Sequence, residues 1–191
     1  ALVADAGVRG LVVTNACRGL SVDEDGVVQV QSGMALRELA AWSVDAGWAG
    51  LEWAVGIPGT VGGAVVGNAG AYGGCMAERV LWVRMLEAGV ERRIGVEELQ
   101  YGYRTSALKR EPWQERRRIV LEAALQLRRG DREELQRLAD DNAAQRVART
   151  PAGRSAGSVF RRTLQFPAGF LIEQVGLKGH RIGGAQISDL H

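Results

Sequence analysis

The strongest physical signal in this sequence is a glycine-rich stretch: Gly56-Ile57-Pro58-Gly59-Thr60-Val61-Gly62-Gly63-Ala64-Val65-Val66-Gly67-Asn68-Ala69-Gly70-Ala71-Tyr72-Gly73. A backbone without Cβ atoms can adopt positive φ and can approach a ligand closely. Consecutive exposed N–H groups in such a bend form a concavity that suits a pyrophosphate, with the Thr60 hydroxyl and the Asn68 amide as further donors. The alternative is a packing segment between two layers, and the residues alone leave both interpretations open.

Two familiar phosphate-binding loops are excluded here. The stretch contains neither a G-x-G-x-x-G that follows a strand nor the pattern G-x-x-x-x-G-K-[ST]. A dinucleotide could therefore bind to it, but not in the manner of a Rossmann fold.

The composition is that of an ordinary globular protein, with 46% apolar and 24% charged residues among 191. A net charge of +2 is too small to indicate a nucleic-acid partner. No apolar run approaches the roughly 20 residues of a membrane helix. Two cysteines and two histidines provide neither a disulfide framework nor a metal site. We therefore expect a cytoplasmic protein with no metal, no nucleic-acid partner and no membrane partner.

Periodicity predicts an α+β fold with antiparallel strands. Alternating residues predict strands over 81–86 and 119–127, and short apolar runs predict strands over 11–13 and 27–30. A turn after residue 87 predicts a returning strand over 91–94, and a further strand is expected over 182–187. Helical spacing predicts helices over 35–46, 131–147 and 170–175. Ser32 is the expected cap of the first helix, and Asp131 opens a capping box for the second. We place a domain boundary at this second helix, which separates residues 1–129 from residues 130–191.

Strand faces follow from the same alternation. Leu81 shares a face with Val83 and Met85, and Ile119 shares a face with Leu121 and the alternate residues that follow it. Such alternation in neighbouring segments favours antiparallel pairing with one covered face, which we expect to be apolar.

Three sequence blocks, in a fixed order, carry a resemblance to a known family. The glycine-rich stretch is similar to the flavin-binding signature of UDP-N-acetylenolpyruvoylglucosamine reductases. Tyr101-Gly102-Tyr103-Arg104-Thr105-Ser106 resembles the family's [FY]-G-Y-R-x-S, and Ser155-Ala156-Gly157-Ser158-Val159-Phe160 resembles its S-A-G-S-x-F. The segments 171–174, 176–179 and 183–186 close the match.

The resemblance implies a fold and a reaction. It implies part of an FAD-binding domain of the vanillyl-alcohol-oxidase (PCMH) type, followed by a partial α+β substrate-binding domain. The implied reaction is the NADPH-dependent, FAD-mediated reduction of UDP-N-acetylglucosamine enolpyruvate to UDP-N-acetylmuramate, a peptidoglycan precursor. The only implied partner is this small-molecule UDP-sugar, and a monomer is favoured. The positions that match the family's cofactor contacts are Gly56, Ile57, Pro58, Gly59, Thr60, Gly62, Gly63, Gly67, Asn68 and Gly70.

Arg104 and Ser158 match two catalytic positions of the family. A guanidinium near the substrate carboxylate would stabilise the enolate-like charge that hydride addition leaves. The Ser158 hydroxyl would then protonate the adjacent carbon. Ser155 is the weaker candidate for this role because it precedes the Ala-Gly pair.

Tyr103, Arg161 and Lys178 are the implied substrate-binding residues. Core packing of Tyr103 and a solvated helix end at Lys178 are equally open interpretations. The family commonly has Lys-Asn-Pro where this chain has the sequence Arg-Arg-Thr from Arg161 onward, which keeps positive charge for the UDP phosphates.

Both ends of the chain resemble cuts through a longer protein. The family's first flavin loop, G-x-G-S-N, and its C-terminal glutamate are expected beyond these ends, so we expect the chain alone to bind FAD weakly and to be inactive. Two alternatives remain: another flavin oxidoreductase of the same fold, and a non-catalytic nucleotide-binding remnant. The Ser-Ala-Gly-Ser block argues against the first, and a flavin-loaded complete protein would exclude the second.

Overall fold

The computed structural model describes residues 5–112, 118–149, 160, 162–163 and 165–189. It divides into two compact units, one of Val12–Val147 and one of Ala1–Leu11 with Ala148–His191. None of the helices in these described ranges is long and apolar enough to cross a membrane.

The larger unit combines antiparallel strands with short helices, as the α+β prediction requires. Its strands are β1 (Leu20–Val22), β2 (Val27–Gln31), β3 (Trp48–Ala49), β4 (Gly70–Ala71), β5 (Gly74–Cys75), β6 (Val80–Glu87), β7 (Val90–Gly95), β8 (Arg118–Gln126) and β9 (Arg128–Arg129). Its helices are α1 (Leu36–Asp45), α2 (Val61–Gly67), α3 (Val96–Leu99), α4 (Ala107–Arg110) and all but the last two residues of α5 (Arg132–Arg149). Five strands form the main sheet in the order β1-β2-β8-β6-β7, while β3 pairs with β9 and β4 pairs with β5.

One face of the main sheet is covered, and this face holds the core. Val28 and Val30 on β2 are fully buried, while Gln29 between them is exposed. Helix α1 buries Leu36 and Leu39 in the same apolar cluster. The predicted helix over 35–46 is confirmed, and Gly47 with φ of +72° follows its C-cap, as a glycine stop requires.

The two predicted strand faces are largely confirmed, because the following members are buried: Val83, Met85, Ala123, Leu125 and Leu127. The prediction is wrong at the first residue of each face, and β-bulges are the reason. Leu81 is 38% exposed and Ile119 is 57% exposed. The pairing of β6 with β8 shifts register between Val80 and Trp82, and again between Arg84 and Met85. Because an extra residue in a strand inverts the alternation beyond it, each bulge turns the expected inward residue outward.

Three local predictions are also corrected. Residues 11–13 form no strand, and Leu11 is 90% exposed. Ser32 does not cap α1, whose N-cap is Ala35 without a side-chain bond. Ser32 instead lies buried, and its hydroxyl donates to the Val120 carbonyl oxygen at 2.6 Å. Residues 182–187 form part of a hairpin rather than one strand.

Helix α5 begins as its sequence predicts. The Asp131 carboxylate accepts a hydrogen bond from the Glu134 N–H at 2.9 Å, which satisfies one of the free donors of the first turn. Leu135 and Ala139 on this helix are buried against Val44. The start of the helix is thus held by a polar cap and its inner face by apolar packing.

Removing this cap is expected to weaken the fold. Asp131→Ala should lower the free energy of unfolding by about 1 kcal/mol, because the Glu134 N–H loses its acceptor. Urea unfolding measures the change, and Asp131→Asn is the control because an amide oxygen can keep the cap. Equal stability of the alanine variant and the parent would contradict this account of the helix start.

The smaller unit contains helix α6 (Ala168–Gln174) and a hairpin of β10 (Arg181–Ile182) and β11 (Ala185–Gln186). Gly176 with φ of +68° follows the helix, as predicted. The rings of Phe166 and Phe170 stack with their centroids 5.3 Å apart.

Candidate functional site

The glycine-rich stretch folds into an exposed loop before α2, the helix α2 itself, and the β4–β5 hairpin. Some of its glycines are needed for packing. A Cβ on Gly62 would lie 2.9 Å from the Ser32 Cβ, and a Cβ on Gly74 would lie 2.3 Å from the Trp53 ring. A Cβ on Gly70 would lie 2.7 Å from the Gly74 carbonyl oxygen. At these positions the packing interpretation holds.

Other glycines of the stretch have no such neighbour. A Cβ on Gly59 or Gly67 would meet no described atom within 4 Å, and a Cβ on Gly63 would meet only the Thr60 hydroxyl at 3.6 Å. Gly63 and Gly67 are four residues apart and therefore share one face of α2. Each costs the helix about 0.5–1 kcal/mol relative to alanine. A bare helix face that packing does not require is suited to close approach by a ligand, so the residues fit a bound cofactor.

The amide donors of this region are arranged differently from the sequence expectation. In the first turn of α2, the Val61 N–H donates to the Met34 carbonyl and the Gly62 N–H to the Ser32 carbonyl, both at 2.9 Å. The Gly63 N–H donates to the Thr60 hydroxyl oxygen at 3.3 Å. The expected run of free N–H groups is therefore wrong for this turn. The donors that remain in this stretch are those of the exposed loop before the turn and the Thr60 hydroxyl.

Asn68 ends α2 in a left-handed conformation, with φ of +45°. Its side-chain amide donates to the Gly102 carbonyl at 2.9 Å, and its side-chain oxygen accepts from the Ala77 N–H at 3.0 Å. The side chain thus bonds at both ends to the backbone of this protein. Its contact with a flavin stays a prediction.

Arg104 lies in a tight turn closed by Gly102 and Thr105, whose N–H groups each donate to the other's carbonyl at 3.1 Å. Its φ is +58°, which is rare and strained for a residue with a side chain. Its guanidinium lies 5.6 Å from the centroid of the Tyr103 ring. Tyr103 is 56% exposed, so the core-packing interpretation of this residue is wrong.

A second bond joins this turn to the glycine helix. The buried Ser106 hydroxyl donates to the Val66 carbonyl at 2.7 Å, and its oxygen caps α4 by accepting from the Lys109 N–H at 3.2 Å. The structure therefore brings two of the three sequence blocks together. Sequence reasoning missed this role of Ser106, although its place at the end of the Tyr-Arg block was a signal.

Two titratable side chains lie close together at the β4–β5 hairpin, Cys75 on β5 and Tyr101 near it. Burial raises the pKa of the Tyr101 hydroxyl, with a smaller contribution from Cys75. This hydroxyl is buried without a hydrogen-bond partner among the described residues. Burial likewise raises the pKa of the Cys75 thiol, which lies 3.7 Å from a Glu78 carboxylate oxygen. Both groups are therefore protonated at neutral pH, and Cys75 is no activated nucleophile.

The remaining site predictions concern the C-terminal part. Lys178 pairs with the Glu173 carboxylate at 2.8 Å, which leaves both of its interpretations open. Ser158 and Arg161 lie outside the described residues. Within the part of the chain that is described, no group of three or more His, Cys, Asp or Glu side chains could hold a metal ion.

Comparison with protein families gives two matches. Residues 1–91 match the FAD binding domain family, and residues 147–191 match the C-terminal domain of UDP-N-acetylenolpyruvoylglucosamine reductase. The predicted α+β fold, a partial FAD-binding domain followed by a second partial domain, is thereby confirmed.

Individual relatives carry the same name. The UDP-N-acetylenolpyruvoylglucosamine reductase of Synechococcus sp. (strain JA-3-3Ab) is 47% identical over 194 residues, which cover 100% of this chain and 61% of the relative. That of Chloroflexus aggregans (strain MD-66 / DSM 9485) is 41% identical, with 100% of this chain and 65% of the relative covered.

A solved structure resembles the chain as well. The crystal structure of UDP-N-acetylenolpyruvylglucosamine reductase (MurB) from Thermus caldophilus superposes with a TM-score of 0.73 at 36% identity, covering 88% of this chain and 60% of the other. The chain spans about three fifths of the length of these relatives.

Proposed function

Because the chain belongs to the family of UDP-N-acetylenolpyruvoylglucosamine reductases, we propose that it is the flavin-binding and part of the substrate-binding region of such an enzyme. The proposed reaction is the NADPH-dependent reduction of UDP-N-acetylglucosamine enolpyruvate to UDP-N-acetylmuramate. The domain boundary at residue 130, the monomeric state and the cytoplasmic location stay predictions.

One observation carries the proposal: hydrogen bonds join the strained Arg104 turn to the end of α2, the helix that carries the bare glycine face. The open positions Gly63 and Gly67 have no packing reason to lack a side chain. Arg104 has no backbone reason to occupy its left-handed position, because glycine would fit there better. A helix glycine and a left-handed arginine each go against the local preference of the backbone. Where two such segments are bonded together without a structural gain, a functional site is expected.

The proposed cofactor residues are those of the loop and of α2. The exposed loop Gly56–Gly59 and the Thr60 hydroxyl would hold the diphosphate of FAD, and the bare face of α2 would let the cofactor approach the backbone. When bound, FAD supplies the hydride chemistry. Gly62 and Gly70 also match the family's contacts. A Cβ built on either would press on protein atoms, so these two residues would contribute only through their backbone.

Arg104 and Ser158 would act on the substrate. A permanent cation next to the enolpyruvyl carboxylate stabilises negative charge that develops there, and a guanidinium can do so through two parallel hydrogen bonds. Ser158 would deliver the proton to the adjacent carbon, for which a neighbouring group has to acidify its hydroxyl. Tyr103, Arg161 and Lys178 are proposed to bind the UDP-sugar.

The test uses the complete gene product that contains this chain. We expect it to bind FAD and to oxidise NADPH only when UDP-N-acetylglucosamine enolpyruvate is present, as measured by the absorbance of the reduced nicotinamide. The control reaction contains UDP-N-acetylglucosamine, which lacks the enolpyruvyl group. Flavin binding without this substrate dependence would refute the reductase activity, and absence of flavin would refute the cofactor site.

A further inference from the structure

Two buried side chains hold the Arg104 turn against the glycine helix. The Asn68 amide donates to the carbonyl of Gly102, which opens the turn, at 2.9 Å. The Ser106 hydroxyl, just beyond the turn, donates to the carbonyl of Val66 on α2 at 2.7 Å. The turn is therefore bonded to α2 on both of its sides.

Each of the two side chains donates one hydrogen bond and accepts another. Asn68 is 8% exposed and Ser106 is fully buried. Asn68 also accepts from the Ala77 N–H, and Ser106 also accepts from the Lys109 N–H. Because a buried polar group without a partner destabilises the folded state, breaking either bond raises the free energy of the protein. The two links thus fix where the turn lies relative to α2.

The turn needs such support because Arg104 occupies a position that its backbone does not favour. A side-chain-bearing residue at φ of +58° persists only when its surroundings determine it. The Lys109 ammonium adds a bond to the Arg104 carbonyl oxygen at 2.9 Å. Three hydrogen bonds therefore fix the main chain around Arg104. They are made at Gly102 before it, at its own carbonyl oxygen and at Ser106 after it.

We propose that Asn68 and Ser106 are positioning residues, which set the place of the Arg104 guanidinium relative to the cofactor-binding face of α2. This inference rests on the proposed function, because it assigns to Arg104 a substrate that the cofactor faces. It also gives Asn68 a purpose other than direct contact with the cofactor. The Asn68 side chain acts through the Gly102 carbonyl, and the Ser106 side chain acts through the Val66 carbonyl.

Asn68→Asp tests the first link with minimal change of shape. Aspartate keeps an oxygen for the Ala77 N–H and tolerates the left-handed backbone, but it replaces the donor to Gly102 by an acceptor. We expect turnover per bound flavin to fall on the order of 100-fold, since a displacement of about 1 Å at a reacting centre can cost that much. Ser106→Ala should lower turnover in the same way, and Ser106→Thr, which keeps the hydroxyl, should restore it.

Asn142→Asp is the matched control. The Asn142 amide also donates to a backbone carbonyl, that of Glu52, at 3.1 Å, and it is also partly buried. Loss of this hydrogen bond should lower the free energy of unfolding in a similar way, but it should leave turnover per bound flavin within about twofold of the parent. If both aspartate variants lose turnover equally, a general loss of stability explains the effect and the proposal fails. If Asn68→Asp loses flavin rather than turnover per flavin, Asn68 is a cofactor contact and the proposal also fails.

A second comparison separates positioning from any independent role. In an Arg104→Lys background, whose ammonium no longer depends on two aligned hydrogen bonds, Asn68→Asp should reduce turnover several-fold less than in the parent. An equal reduction in both backgrounds would overturn the link to Arg104.

Hydrogen exchange at the Gly102 and Thr105 amides reports on the turn without any reaction, and Asn68→Asp should accelerate it while Asn142→Asp does not. A parent protein without substrate-dependent NADPH oxidation refutes the proposed function, and unchanged exchange refutes the positioning.

Discussion

Arg104→Gly is expected to remove turnover and at the same time to stabilise the fold. Loss of the guanidinium should lower turnover on the order of 10³-fold, as loss of a single charge-stabilising donor does in comparable sites. Loss of the Cβ at φ of +58° should raise the free energy of unfolding by about 1 kcal/mol. Arg104→Ala should remove turnover equally but keep the strain, so it should be less stable than the glycine variant. Steady-state kinetics and urea unfolding measure the two effects.

Ala88→Gly is the control for the stability half of this prediction. Ala88 has φ of +49° in the exposed turn between β6 and β7 and takes no part in the Arg104 turn. Glycine there should give a similar gain in stability with no loss of turnover. An Arg104→Gly variant that keeps near-parental turnover would exclude a catalytic role for Arg104.

For Ser158→Ala we likewise expect loss of turnover with the flavin still bound.

The sequence predicted most elements of this fold because their signals are local. An apolar run predicts β2, alternation predicts β6 and β8, and the glycine stops predicted after α1 and α6 are confirmed. The failures have a different origin. Whether Leu81 or Ile119 faces the core depends on bulges in the pairing of two strands, and a bulge is a property of the pair rather than of either strand alone.

The site shows the same division between local and long-range information. The resemblance placed Arg104 in its block and the glycines in theirs, but nothing in the sequence showed that the blocks touch. The two links join Asn68 to Gly102 and Ser106 to Val66, across 34 and 40 residues of chain. The first-turn amides of α2 are likewise taken by the carbonyls of Met34 and Ser32, which come from before α1. Periodicity cannot reveal such pairings because they depend on the completed tertiary structure.

Gly62 and Gly63 are adjacent and should respond to alanine in opposite ways. At Gly63 the Cβ meets only the Thr60 hydroxyl at an ordinary contact distance, so Gly63→Ala should stabilise the fold by about 0.5–1 kcal/mol through helix propensity. The same methyl group would stand on the face that we propose for the cofactor. We therefore expect FAD affinity to fall about tenfold or more, which corresponds to a steric cost above roughly 1.4 kcal/mol. Flavin titration followed by fluorescence measures the affinity.

At Gly62 the methyl group would press on Ser32 at 2.9 Å, and Ser32 cannot move freely because its hydroxyl donates to the Val120 carbonyl. Gly62→Ala should therefore destabilise the fold by about 1–3 kcal/mol. The pair separates the two interpretations of the glycine-rich stretch, since packing predicts loss of stability at both positions and a ligand face predicts it at Gly62 alone. If Gly63→Ala gains stability and still binds FAD like the parent, the bare face of α2 does not contact the cofactor.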